Sequence, residues 1–85
     1  MKQEPAFFDE QELDLIYIAK KLREALLLEE RLTAAGIDYA VEIDDYRGGF
    51  IFQTLRKGAF LYVQSPDLER ARQVVLEAGF KLPGT

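Results

Sequence analysis

The acidic side chains Glu42, Asp44 and Asp45 form the group that comes nearest to a chemical site in this sequence. Clustered carboxylates can hold Mg²⁺ or Ca²⁺ through their oxygen atoms, or act as general acids and bases. Their spacing matches no calcium-binding loop, and a solvated strand end is the simpler interpretation. We therefore expect neither a metal site nor a cofactor here.

The residue types that are absent restrict catalysis further. The 85 residues include no histidine and no cysteine, and the one serine is Ser65. The usual pairs of nucleophile and base cannot be assembled from this set, and a zinc site would lack its two commonest ligand types. The sequence therefore predicts a binding or regulatory protein rather than an enzyme, with no catalytic residues.

The apolar spacing predicts the elements that would position any binding residues. A short aliphatic run favours a buried strand, a 3.6-residue period favours an amphipathic helix, and alternation favours a half-buried strand. Glycines 36 and 79 are expected to end the two helices, and Ser65 to cap the second one. The predicted strands are residues 13–19, 37–44, 59–64 and 80–83, the predicted helices are residues 20–35 and 66–78, and residues 50–55 are predicted to form a hairpin arm or an aromatic loop.

This element order predicts an α+β ferredoxin-like β-α-β-β-α-β sandwich, with one antiparallel sheet and two helices on one face. We expect residues 1–12 to be an N-terminal extension and residues 13–85 to form the single domain. Each helix has one apolar stripe, so both must lie on the same side of the sheet. The expected stripe of the first helix is formed by Leu22, Ala25, Leu26, Leu28, Leu32 and Ala35, and that of the second helix by Leu68, Ala71, Val74, Val75 and Ala78. Glu29 falls within the apolar sector of the first helix, where we expect its stem to pack while its carboxylate reaches the edge of the face.

The other side of the sheet is the candidate binding face. If the helices cover Ile16, Ile18, Val41, Ile43, Leu61 and Val63, strand alternation turns the neighbouring residues outward. A face with three aromatic residues needs a cover, which would be a second copy, the N-terminal segment with Phe7 and Phe8, or a ligand. We expect a homodimer, and the candidate interface residues are Leu15, Tyr17, Glu42, Phe60 and Tyr62, with Ala40 beside them.

The same aromatic residues leave single-stranded RNA or DNA binding open as an alternative. The strings IYIAKKL (residues 16–22) and KGAFLYV (residues 57–63) are similar to the two motifs of RNA recognition domains, which stack bases on sheet aromatics. The net charge of −4 and the presence of Glu42 on the same face oppose phosphate binding, however. Nucleic acid is therefore the less favoured partner.

The composition also predicts where the protein works. No apolar run in the sequence approaches the roughly 20 residues of a membrane span, and the first residues lack the pattern of a signal peptide. An acidic pI near 4.8 disfavours attraction to anionic membranes. We expect a cytoplasmic protein with no membrane partner.

Three strings together resemble a family of small bacterial domains of unknown function that carry the label of signal-transducing proteins. They are IYIAKKL, EALLLEERLTAAGI (residues 24–37) and LYVQSPDLERAR (residues 61–72). The resemblance implies a ferredoxin-like fold related in shape to the nitrogen-regulatory GlnB proteins, with a regulatory or binding role and no established catalytic residues. The sequence departs from the family at Lys20 and Lys21, where a proline often opens the helix, and at the aromatic residues 50–55, where a glycine-rich loop is usual.

Overall fold

The computed structural model describes residues 1–4, 8, 12–48 and 54–83. Three strands form one antiparallel sheet in the order β1-β3-β2, and two helices pack on one side of it. The described chain is therefore a small α+β protein. Its elements are β1 (Leu13–Ala19), α1 (Leu22–Ala34), β2 (Tyr39–Gly48), β3 (Thr54–Gln64), a 3₁₀ turn (Ser65–Asp67) and α2 (Leu68–Glu77).

The fourth strand of a ferredoxin-like sheet is not formed, so the prediction of a strand over residues 80–83 is wrong for the described residues, which end at Pro83. The backbone N–H of Phe80 donates to the carbonyl oxygen of Val75 at 3.2 Å, which closes the end of α2. The Phe80 and Leu82 side chains pack against the core. This segment therefore packs on the core instead of pairing with the sheet.

The hairpin of β2 and β3 is longer than its sequence predicts. The ladder continues through Asp45↔Lys57 to Gly48↔Thr54, although the predicted strands end at residue 44 and begin at residue 59. An ion pair of 3.4 Å between Lys57 and Asp45 lies across these strands. Residues 50–53 of the expected arm lie outside the described residues.

The core lies between the sheet and the helices. Its fully buried members come from β1, α1, β3 and α2, as the apolar spacing predicts, and from Ile37 in the connection between α1 and β2. Three members of the expected stripe of α1 are not buried: Leu22 is 74% and Leu26 is 54% exposed, and Ala35, which follows the last residue of the helix, is exposed as well. The sheet row near the start of α1 carries the alanines Ala19 and Ala59, whose small side chains offer little surface to cover a leucine. The largest buried core residues are Ile16, Leu28, Leu32, Ile37, Leu61, Val63 and Val75.

Ser65 does not cap a helix by its side chain, contrary to the prediction. Its hydroxyl donates to a carboxylate oxygen of Asp14 at 2.8 Å, which ties the end of β3 to β1. Neither the 3₁₀ turn nor α2 has a side-chain cap hydrogen bond. Within the part of the chain that the structure describes, neither helix is long and apolar enough to cross a bilayer.

Candidate binding face of the sheet

A β-bulge in β1 decides which side chains reach each face of the sheet. Leu15 lies opposite Tyr62 on β3, whereas Tyr17 lies opposite Leu61, so the register shifts between them. Ile16 is the extra residue on β1, and it is 1% exposed in the helix-side core. A bulge of this kind moves every later side chain of the strand to the other face.

Tyr17 consequently lies on the helix side and not on the outer face, which corrects its predicted placement. Its hydroxyl donates to Oε1 of Glu24 on α1 at 3.4 Å. Its ring stacks on that of Phe80, with centroids 5.1 Å apart and planes 18° apart. Burial, followed by the negative charge of Glu24, raises the pKa of the Tyr17 hydroxyl above its ordinary value. Tyr17 therefore connects β1 to α1 and to the segment that follows α2.

The outer face carries an apolar patch formed by Leu15, Ile18, Phe60 and Tyr62. Leu15 pairs with Tyr62, and Ile18 pairs with Phe60, so the four side chains occupy two neighbouring rows of β1 and β3. All four are half-buried, and none belongs to the helix-side core or packs against it. Ile18 takes the place on this face that the sequence had predicted for Tyr17. A bulge at an isoleucine has no marker in the sequence, so this residue was missed.

Carboxylates border the apolar patch on the side of β2. Glu42 pairs with Phe60, and Asp44 pairs with Gly58 one row further along; both are exposed. Burial raises the pKa of the Tyr62 hydroxyl, and the charges of Glu42 and Asp44 raise it further. The rim of the patch is therefore negative, which opposes the approach of phosphate.

The carboxylates of β2 do not form one cluster. Strand alternation sends Asp45 to the helix side, opposite to Glu42 and Asp44, and Asp45 pairs there with Lys57 at 3.4 Å. Among the described residues, no group of three carboxylates is placed to hold a metal ion. The three carboxylates are thus not placed together to hold a cation.

The N-terminal residues belong to the same structure as the sheet. Lys2 forms a parallel bridge with Tyr39 at the outer edge of β2, where the N–H of Gln3 donates to the Tyr39 carbonyl oxygen at 2.7 Å. Phe8 and Ala40 are each 1% exposed, and neither belongs to the helix-side core. Ala40 pairs with Tyr62 and so faces the outer side. Something on that side therefore covers Ala40.

Comparisons with protein-family models, with curated proteins and with solved structures found no match. The resemblance to the signal-transducing domains described above stays a prediction.

Proposed function

We propose that this chain is a non-catalytic binding or regulatory module that associates with a second copy through the apolar patch. The observation that carries the proposal is the position of Leu15, Ile18, Phe60 and Tyr62, which form a continuous apolar surface without touching the helix-side core. Apolar patches bordered by polar residues are typical of protein interaction sites. Tyrosine suits such a site because its ring packs while its hydroxyl stays hydrated.

A second copy is the occupant that this surface favours. A two-fold dimer needs the same patch to be complementary to itself, and we propose that the leucine, isoleucine and aromatic side chains of this patch meet that need. The negative rim of Glu42 and Asp44 would stay solvated at the edge of such an interface, as charged residues commonly do. We propose that Phe8 packs over Ala40 on the β2 side, which leaves the β1–β3 side for the second copy.

Nucleic acid has less support as a partner than a second copy. An RNA recognition sheet stacks bases on aromatic side chains of both its first and third strands. The aromatic residue of β1, Tyr17, is engaged with Glu24 and Phe80 on the helix side. The outer face therefore offers stacking partners from β3 together with the carboxylate of Glu42.

The test is the molar mass in solution by light scattering after size exclusion, over a wide concentration range. We expect a dimer for the natural sequence and a monomer for Tyr62→Glu, because the new carboxylate would be buried at the interface without a partner. The matched control is Leu76→Glu, which adds the same charge at an exposed leucine of α2 and should remain dimeric.

Two outcomes would contradict the proposal: a natural sequence that is monomeric throughout, or a Tyr62→Glu variant that stays dimeric. Circular dichroism of each variant shows whether the fold is kept. If Tyr62→Glu does not fold, Phe60→Ser provides the same test without a buried charge. A titration with a fluorescent single-stranded oligonucleotide at low salt measures the alternative, and salt-sensitive binding lost in Phe60→Ser would replace the dimer by a nucleic-acid binder.

A further inference from the structure

A second surface, on the helix side of the sheet, is independent of the apolar patch. It is a cleft of about 170 Å³ between the start of α1 and the row formed by Ala19, Ala59 and Ile43 across the three strands. The cleft exists because alanines occupy the positions where the sheet meets the first turn of α1. The residues that line it are Ala19, Lys20, Lys21, Leu22, Ala25, Ile43, Lys57, Gly58 and Ala59.

Two large aliphatic side chains border this cleft without being covered. Leu22 is 74% and Ile43 is 68% exposed, although both lie on the side of their element that turns toward the core. A cavity of roughly 150 Å³ lined by apolar side chains is large enough for benzene. The cleft therefore has room for an apolar group of about six carbon atoms.

The cleft is also locally positive in a chain whose net charge is −4. Lys20 and Lys21, which are adjacent just before α1, line it together with Lys57 of β3. Asp45 pairs with Lys57 at 3.4 Å, so Lys21 and Lys57 together carry more charge than this carboxylate neutralises. An apolar cleft with an excess of ammonium groups at its border is complementary to a molecule that has an apolar body and an anionic head.

We propose that this cleft binds a small amphipathic anion, namely an organic carboxylate or phosphate with a short apolar chain. Its apolar body packs against Leu22, Ile43 and the alanines, which removes the two exposed aliphatic side chains from water. Its anionic group lies at the border with Lys21 and Lys57. This site is separate from the apolar patch, so its failure would leave the proposed dimer untouched, and failure of the dimer would leave this site untouched.

The experiment compares three probes by nuclear magnetic resonance of the full chain with labelled methyl groups. Hexanoate has both the apolar chain and the charge, acetate has only the charge, and hexanol has only the chain. We expect saturable shifts of the Leu22 and Ile43 methyl signals with hexanoate, at an affinity about tenfold above that of either other probe, which corresponds to about 1.4 kcal/mol. Equal affinity for hexanol would overturn the proposal, as would hexanoate shifts confined to other surfaces.

Substitutions separate the two halves of the site. Lys21→Gln should weaken hexanoate binding up to about fivefold, the range of an exposed ion pair, whereas Lys81→Gln, an exposed lysine outside the cleft, should leave it unchanged. Ile43→Ser should weaken it about tenfold through lost apolar contact. Unchanged affinity in both Lys21→Gln and Ile43→Ser would overturn the proposal. So would a lower molar mass for Ile43→Ser, because it would make this surface a contact between copies.

Discussion

The ring of Tyr17 stacks on the ring of Phe80 with their centroids 5.1 Å apart. The contact joins β1 to the segment that follows α2, where a fourth strand was expected. Tyr17 reaches it because the bulge at Ile16 turns the tyrosine to the helix side. The same bulge brings Ile18 next to Phe60 on the outer face. One irregularity thus determines both how the C-terminal segment is held and which residues form the apolar patch.

The Tyr17–Phe80 stack should contribute to stability as a coupled pair. We expect Tyr17→Ala and Phe80→Ala each to lower the free energy of unfolding by about 2 kcal/mol, since both side chains are half-buried. The double variant should cost less than the sum of the two by about 1 kcal/mol, which is the coupling of an aromatic pair. Urea unfolding of the natural sequence, the two single variants and the double variant measures this double-mutant cycle. Strictly additive losses would show that the rings do not interact.

The hydroxyl of Tyr17 provides a control for that cycle. Tyr17→Phe keeps the ring and removes the 3.4 Å hydrogen bond to Glu24. This hydrogen bond is only partly buried. We expect a loss of at most about 1 kcal/mol. A loss as large as that of Tyr17→Ala would locate the stabilisation in the hydroxyl instead of in the stack.

Phe8 should be part of the folded domain, although the sequence places it in an N-terminal extension. It is 1% exposed, so Phe8→Ala should lower the free energy of unfolding by about 3 kcal/mol. Leu26→Ala is the matched control, because Leu26 is 54% exposed and its truncation should cost less than about 0.5 kcal/mol. If the two variants unfold at the same urea concentration, the N-terminal segment does not contribute to the fold.

The tyrosines should make stability fall at alkaline pH. Burial raises the pKa of Tyr17, Tyr39 and Tyr62 above the ordinary value of 10.0. Above pH 10 the folded chain therefore holds more protons than the unfolded chain, and the free energy of unfolding decreases as pH rises. The stability that the protonated tyrosines contribute is fully present below pH 10 and is lost as the pH rises through their raised pKa values.

Urea unfolding at a series of pH values above and below 10 measures this loss. Absorbance at 295 nm follows ionisation of the tyrosines in the folded chain. Tyr39 is 3% exposed, and its hydroxyl donates to Glu29 at 3.4 Å. Tyr39→Phe should therefore reduce the slope of stability against pH. A slope that is the same in the variant would contradict this assignment.

Two glycines end the helices in a conformation that other residues adopt poorly. Gly36 has φ of +73° and Gly79 has φ of +88°, and an added Cβ would meet no atom within 4 Å at either position. Substitution by alanine should therefore cost about 1 kcal/mol through backbone strain alone. Asparagine tolerates this region better and should cost less. Thermal unfolding of Gly36→Ala and Gly36→Asn compares them, and equal stability of Gly36→Ala and the natural sequence would contradict the argument.

The sequence predicted well those elements whose apolar period is regular. β1 was predicted with its observed ends, and Ala25, Leu28, Leu32, Ala71 and Val75 are buried on their helices as expected. Glu29 was expected to pack its stem and keep its carboxylate at the edge of the helix face. It is half-buried and lies 3.6 Å from the Lys2 ammonium.

The wrong predictions have physical causes that the apolar periodicity of the sequence does not reveal. The bulge inserts one residue without changing the apolar composition of β1, so alternation gave the wrong face for Tyr17 and Ile18. The exposure of Leu22 depends in part on Ala59, which lies far from it in sequence. The burial of Phe8 depends on which edge of the sheet the N-terminal residues pair with. Each of these is a tertiary relationship between segments that a local pattern cannot reveal.

The central claim is that the apolar patch joins two copies of this chain. An isotope-filtered nuclear Overhauser experiment on an equimolar mixture of labelled and unlabelled protein records contacts between copies directly. The account predicts cross-peaks from the methyl groups of Leu15 and Ile18 in one copy to the rings of Phe60 and Tyr62 in the other. Cross-peaks confined to other surfaces, or none at concentrations up to the solubility limit, would contradict it.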